Sequence, residues 1–335
     1  MTTETTRPKP SNAPSRWLLL QGSQSMMALK NWPSYWAARF LGRDPGSLRF
    51  RQGFVFPQPT PNEAGTLLFL GAHGVRFAEA PDPARLTWGL DPRARVVTTP
   101  SGIRFHLPSI DGLVLAETFL YDIHFSGEDL EGKTVVDVGA NVGDTALYFA
   151  ERGAEVLAYE PDPANYHGLL ANLDLNPDLR SRVHPFPFAV GVDGEVEFHT
   201  GLGGGSGMYE TAGTVRRVKS VSLATLLEGR DRVYLLKADC KGAEYELALQ
   251  PAIARFDHLA IEYYWVAPAI PPGQDPLTVL LGRLRERGFG RSRAFKHNST
   301  PLPLSQHGIL EADFDASRPP PRPLTGGPES PAGRS

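Results

Sequence analysis

The sequence predicts an α/β fold, a doubly wound and mostly parallel sheet behind a small, mainly β N-terminal region. Three observations predict it. The stretch Lys133 to Pro163, KTVVDVGANVGDTALYFAERGAEVLAYEPDP, reads as strand, glycine turn, helix, strand and then an acidic residue. From Asp111 onward, buried apolar runs alternate with amphipathic ones, the pattern of strands and covering helices in a parallel sheet. Between Leu48 and Leu107 the pattern is instead short alternating runs punctuated by Gly and Pro, which is hairpin material.

Taken in order, residues 1–15 are Thr-, Pro-, Ser- and Lys-rich with little to bury, and are expected to be a disordered tail. Residues 16–107 form the N-terminal region. Trp17 to Leu41 has helical spacing, with Trp32, Trp36 and Phe40 on one stripe that reads as packing. SLRFRQGFVF, GTLLFLGAHGVRFAEA and ARVVTTPSGIRFHLP follow as hairpins, with AHG and PSG as turns. Residues 108–315 form the main domain. TVVDVGA is a buried strand, DTALYFAERG a helix closed by Gly153, EVLAYE a second strand, and PANYHGLLANLDLNP a helix stopped by Pro177. VHPFPFAV precedes an inserted hairpin, GEVEFHT with TVRRVKSV, joined by the glycine-rich GLGGGSG. Ser222 caps LATLLEG. RVYLLKAD and HLAIEYYW are strands around the helical GAEYELALQ, and Asp275 with Pro276 starts a helix that Gly288 ends. Residues 316–335, within the Pro-rich end ASRPPPRPLTGGPESPAGRS, are a second disordered tail.

Composition sets limits. The 335 residues are 41% hydrophobic and 21% charged, and the formal net charge of −3 gives no general pull toward nucleic acid or an anionic membrane. A single cysteine, Cys240, excludes an internal disulfide framework and a multi-cysteine metal site. No run reaches the ~18–20 apolar residues that span a bilayer, since Gln21 to Gln24 interrupt WLLLQGSQSMMAL. No secretory leader pattern opens the chain. The expectation is a cytoplasmic protein without a metal, a membrane partner or a nucleic-acid partner.

The glycine turn is the informative feature. Gly139 and Gly143 lie where the chain leaves a strand and enters a helix, so backbone can approach a ligand closely there. Glu160 closes the next strand about 20 residues on, where a carboxylate accepts ribose hydroxyls. That combination points to an adenosine-containing ligand. Asp137 and Asp144 flank the turn, which disfavours a pyrophosphate at the helix N-terminus and suits a ligand carrying an ammonium and a sulfonium, S-adenosylmethionine. A nicotinamide dehydrogenase is weakened by those acids and by the missing third glycine spacing. No P-loop is present, so phosphoryl transfer has no support.

These residues resemble the FkbM-type methyltransferases, a class I S-adenosylmethionine-dependent family. The resemblance lies in VVDVGANVGDTALYFA, AYEPDPANYHGLLANL, FAVG and LLKADCKGAEYELAL, with LAETFLYDIHFSGEDLEGK leading into the first motif. It covers roughly Arg95 to Gly290. It implies a Rossmann-like sheet of seven strands with a reversed last strand, for which GILEADF is the candidate, and O-methylation of a hydroxyl on a small molecule or glycan. It also implies a cofactor set of Glu117, Asp137, Gly139, Asn141, Gly143, Asp144, Thr145, Glu160, Pro161, Asp162, Ala189 and Asp239, with Tyr121 beside Glu117. Two departures stand out. The family's Asp-x-Glu-Gly-x-Glu reads here Asp239-Cys240-Lys241-Gly242-Ala243-Glu244, and its Leu-Asp pair before the next helix reads Leu223-Ala224.

Methylating an alcohol needs a home for the hydroxyl proton. Candidates for that side of the chemistry are Asp239, Lys241, Glu244 and Glu262. Asp239 is otherwise a turn aspartate, Glu244 a helix-start acid, and Lys241 either a draw for acidic substrates, a desolvated base or a solvated lysine. Tyr263, Tyr264 and Trp265 are pocket walls or packing, Cys240 a small buried residue, and the loop around Ser206 a closing flap or a hairpin tip. His124 and His199 carry no paired motif. The rival readings are a nucleic-acid methyltransferase and a non-catalytic module that binds an adenosine ligand; the absence of an Asn-Pro-Pro-Tyr-like motif and of a basic cluster counts against the first.

Overall fold

The computed structural model describes residues 23–44, 46–125, 129–202, 205–209, 212–265, 270–296 and 302–317. Both predicted tails therefore fall outside the described residues, except for residues 316 and 317. The chain divides into two compact units, residues 1–187 and 188–335.

In the first unit, Ser47–Arg49 (β1) and Val55–Pro57 (β2) pair antiparallel, the hairpin expected from SLRFRQGFVF. The next segment corrects the sequence reading. TLLFLGA belongs to a helix, Pro61–Ala72, not to a hairpin arm. Thr60 accepts from the Glu63 amide and Glu63 Oε2 accepts from the Thr60 amide at 2.7 Å, a capping box that starts the helix ahead of Pro61. Its Leu67, Leu68 and Leu70 are buried, and burial of such side chains is worth about 1.5–3 kcal/mol each. The chain then builds a four-stranded sheet from Arg76–Ala78 (β3), Thr87–Asp91 (β4), Val96–Thr98 (β5) and Arg104–His106 (β6), in that order. β5 and β6 are antiparallel around the PSG turn, as read, whereas β3 and β4 are parallel. The long helix expected from Trp17 is interrupted: residues 23–28 and Trp32–Phe40 are helical, and Leu29 between them bridges Phe50. The expected aromatic stripe is not the packed face. Tyr35 is the buried residue of Trp32–Phe40, and Phe40 is 81% exposed.

The same unit carries Thr134–Val138 (β7), Glu155–Tyr159 (β8) and Val183–Phe186 (β9), parallel in the order β7, β8, β9. Their nearly continuous apolar runs are what a strand covered on both faces requires. Helix Asp144–Glu151 follows β7 and helix Pro163–Leu175 follows β8; Pro177 opens a further short helix, Pro177–Arg180, rather than only stopping the previous one.

In the second unit, Ala189–Val190 (β10), Gly194–Thr200 (β11) and Thr214–Val221 (β12) form a three-stranded sheet whose β11–β12 arm is the predicted inserted hairpin. Ser222 accepts from the Thr225 amide and caps Leu223–Leu226. Val233–Ala238 (β13) and Phe256–Tyr263 (β14) are parallel. Gly308–Phe314 (β16), the GILEADF strand, runs antiparallel to β14, and Phe289–Lys296 (β15) runs antiparallel to β16. Asp275 caps helix Pro276–Glu286 through the Thr278 amide at 2.9 Å. The fold class is the predicted one: mixed α/β with a large, mostly parallel sheet, a reversed last strand and a small β region at the N-terminus. β15 was not read from the sequence, because Phe289-Gly-Arg-Ser-Arg has neither alternation nor an apolar run.

Candidate active site

The first unit holds the glycine turn. Three residues after β7 take positive φ: Gly139 at +78°, Asn141 at +48° and Gly143 at +85°. At Gly143 a side chain would be strained by that φ and would also press on Leu169 at 3.2 Å, so glycine is required on both counts. The Gly139 and Ala140 amides both donate to the Tyr159 carbonyl at 3.0 Å, which folds the turn back over the end of β8.

Around this backbone the acids are wired inward. Asp137 is fully buried and accepts from Thr145 Oγ1 at 2.6 Å. Asp144, at the helix start, accepts from Thr118 Oγ1 at 2.7 Å. Glu160 is buried just past β8; its Oε2 accepts from the Asn141 amide and its Oε1 from the Asp162 amide, each at 2.8 Å. Burial pushes its carboxyl up to about 8, against the pull of those two backbone N–H groups. Asp162 caps helix Pro163–Leu175 through the Ala164 amide at 2.8 Å, and Pro161 lies between the two acids. Asp137, Gly139, Asn141, Gly143, Asp144, Thr145, Glu160 and Asp162 thus sit around one turn. Glu117 is half-buried in helix Gly112–Phe119, with Tyr121 just beyond it, 40% exposed. Ala189 belongs to the second unit, where it packs with Phe198 and Val218 in the core of the three-stranded sheet.

The second unit holds a charged cluster at the end of β13. Asp239 follows the strand, and Lys241 takes positive φ, +51°. Lys241 Nζ donates to Asp239 Oδ1 at 2.8 Å and to the Tyr264 hydroxyl, and lies 4.2 Å from the Tyr264 ring centre. The Tyr264 hydroxyl also reaches Asp239 Oδ1 at 3.1 Å and Glu262 Oε1. His307 Nε2 meets the same Glu262 oxygen at 3.0 Å, and its ring stacks on Tyr264 at 4.6 Å. Glu262 and His307 are both buried. Glu244 is fully buried, accepting from the Gly242 amide at 2.6 Å and the Tyr264 amide at 3.0 Å; burial pushes it up to about 7.

This arrangement decides several of the open readings. Lys241 is an ion-pair partner, not a solvated loop lysine. Glu244 braces the turn as well as starting Glu244–Leu247. Burial, with Glu244 and Asp239 adding to it, drives the Cys240 thiol well above its ordinary range, which fits a small packed residue rather than a reactive thiol. Tyr263 is buried and Trp265 is 40% exposed. His199 Nδ1 donates to the Ala212 carbonyl at 2.9 Å, and His124 is buried. Ser206 Oγ accepts from the Leu202 amide at 3.2 Å inside a bridged turn, while Gly203 and Gly204 of that loop lie outside the described residues. Sequence reasoning missed His307. It precedes β16, and the register pairing Tyr263 with Gly308 is what brings it to Tyr264. Among the described residues no group of His, Cys, Asp and Glu could hold a metal ion, and no helix is long and apolar enough to cross a membrane.

Residues 137–289 match the family model described as "Methyltransferase FkbM domain". Among solved structures, the chain is similar to the FkbM methyltransferase from Methylobacillus flagellatus KT, with 14% identity and a TM-score of 0.41 over 84% of this chain and 59% of that one. It is also similar to an O-methyltransferase family protein from Burkholderia thailandensis, with 13% identity and a TM-score of 0.38 over 62% of this chain and 58% of that one. A third is M. jannaschii TYW2 in complex with AdoMet, with 16% identity and a TM-score of 0.40 over 68% of this chain and 85% of that one. The chain thus spans under two thirds of the length of the first two. No curated protein matches it.

Proposed function

We propose that this protein transfers a methyl group from S-adenosylmethionine to a hydroxyl oxygen of a small molecule or glycan. The observation that supports it most is the Glu160 carboxyl. It is buried, its oxygens accept from the Asn141 and Asp162 amides and from the Asn165 side chain, and the accepting capacity that remains suits a ribose hydroxyl. The donor set therefore fits the group. Gly139 and Gly143 leave backbone open to close approach, and Asp137 and Asp144 put negative charge where a cationic ligand benefits.

When bound, S-adenosylmethionine supplies an activated methyl on a cationic sulfur. The rest is positioning and proton handling. In this reading Asp239 takes the hydroxyl proton of the acceptor. Its Oδ1 carries the internal contacts to Lys241 and Tyr264, which leaves Oδ2 as the accepting atom. The Tyr264 phenol has one proton for two carboxylates. Its bond to Glu262, which His307 braces, draws the hydroxyl toward Glu262. Lys241 Nζ pairs with Asp239 Oδ1 and orients the carboxylate. The test is release of labelled methyl onto a panel of hydroxylated small molecules and glycans. Turnover on a hydroxyl supports the reading, and methylation confined to amines or nucleic acid overturns it.

A further inference from the structure

Helix Pro163–Leu175 does more than cover the sheet. Its Asn172 is fully buried, and its carboxamide is used at both ends. Nδ2 donates to the Val142 carbonyl, inside the glycine turn, at 2.8 Å. Oδ1 accepts from the His106 amide, on β6, at 2.8 Å. One turn later, Asn176 meets Arg104 on the same strand, Oδ1 accepting from its amide at 2.9 Å and Nδ2 donating to its carbonyl at 2.7 Å. The spacing explains the match: four helical residues rise about 6 Å and two strand residues about 6.6 Å, so the two asparagines meet alternate residues of β6. Among the described residues β6 pairs with β5 alone, on its other side, so the asparagines satisfy its free edge as a fifth strand would.

We infer that Asn172 is a positioning residue for the cofactor turn, tying it to the edge of the N-terminal four-stranded sheet and making that sheet part of the cofactor site. Two further contacts run the same way. Gly168 lets the helix approach the turn so closely that a Cβ there would lie 2.9 Å from Val142 and 3.3 Å from Ser109. Thr118, from the helix preceding the first motif, holds Asp144. The Val142 carbonyl lies between Asn141 and Gly143, both at positive φ, and a fixed carbonyl between two such residues pins the conformation of the turn. A carboxylate cannot replace the amide: it would keep the bond from His106 and set a lone pair against Val142.

The inference rests on the turn's being the S-adenosylmethionine site, and Asn176 supplies the control. It joins the same helix to the same strand, its Nδ2 also donating to the Asn172 backbone carbonyl at 2.7 Å, without touching the turn. In the full chain, Asn172→Asp is expected to weaken S-adenosylhomocysteine binding about tenfold, the loss of one buried hydrogen bond plus repulsion, and to speed amide exchange across residues 139–145. Asn176→Ala is expected to lower the melting temperature at least as much while leaving affinity within about twofold, because that bond lies outside the turn. Equal affinity losses in the two variants, or none in Asn172→Asp, overturn the inference. Should wild type bind no S-adenosylhomocysteine, the methyltransferase reading fails on its own. Exchange then decides for Asn172: faster exchange of the turn in Asn172→Asp alone upholds the tie, and unchanged exchange removes it.

Discussion

The turns after β7 and after β13 are built alike and surrounded differently. Each leaves the end of a parallel strand through residues at positive φ, Gly139, Asn141 and Gly143 in one and Lys241 and Gly242 in the other. Each is braced by a buried glutamate that accepts two backbone amides, Glu160 from Asn141 and Asp162, and Glu244 from Gly242 and Tyr264. Burial raises both carboxyls, to about 8 and about 7. The difference lies in what surrounds the brace. Around Glu160 the partners are amides, threonine hydroxyls and an asparagine, so the turn presents shaped backbone. Around Asp239 they are a cation, a phenol, a second carboxylate and an imidazole, so it presents groups whose protons can move. The same brace recurs in both turns, and on the function proposed above the neighbouring side chains divide ligand holding from proton handling.

If that division is right, Asp239→Asn carries the largest effect. Turnover on an acceptor from the panel is expected to fall by about 10²–10⁴, the range for losing a general base, with S-adenosylhomocysteine affinity unchanged. An affinity loss as large as the rate loss would put Asp239 with the ligand-holding group instead. Next is Glu160→Ala. Cofactor binding should weaken by roughly 1–3 kcal/mol, from the lost ribose hydrogen bond and the turn amides left unpaired, and calorimetry on the folded variant reads it directly. Lys241→Glu should sit below that. It restores the family's residue but sets a third carboxylate beside Asp239 and Glu262, so turnover should drop by about tenfold, with acidic acceptors losing most. An unchanged acceptor profile demotes Lys241 to a structural partner of Asp239.

The smallest effect concerns pH. A carboxyl raised in the folded state binds its proton more tightly there than in the unfolded chain. Its contribution to stability is therefore complete below the ordinary 4.5 and is lost as pH rises through about 8 for Glu160 and about 7 for Glu244. Melting temperatures of the ligand-free protein should decline across that window, and Glu160→Gln should flatten the upper part of the decline. A slope identical to wild type would mean that the amides around Glu160 outweigh its burial.

Much of this is legible in the sequence. The strand, the glycine turn and Glu160 follow one another within about 20 residues, so local pattern suffices to find them. GILEADF is the candidate last strand because the resemblance implies a reversed one, not because of its own pattern, which Glu311 and Asp313 interrupt. Other features depend on pairing distant segments. His307 joins Glu262 only through the β14–β16 register, and Asn172 reads as one more polar residue of a helix until β6 is laid beside it. The Pro61–Ala72 helix is a different case. Its capping box, Thr60-Pro61-Asn62-Glu63, is present in the sequence, and the apolar run TLLFLG points toward a strand because an uninterrupted apolar run carries no helical period. The ion pair of Lys241 with Asp239 was hidden for another reason: a lysine at positive φ is uncommon, and its side chain turns back on its own strand end.

The central claim is that the turn after β7 holds S-adenosylmethionine. The most direct measurement is the melting temperature of the full chain with S-adenosylhomocysteine, NAD or ATP added separately. Ligand binding to the folded state alone stabilises it by RT ln(1 + [L]/Kd), about 2.7 kcal/mol at a hundredfold excess over Kd. The account predicts a saturable upward shift with S-adenosylhomocysteine, abolished in Glu160→Ala, and none with NAD or ATP. Stabilisation by NAD with no response to S-adenosylhomocysteine would contradict it.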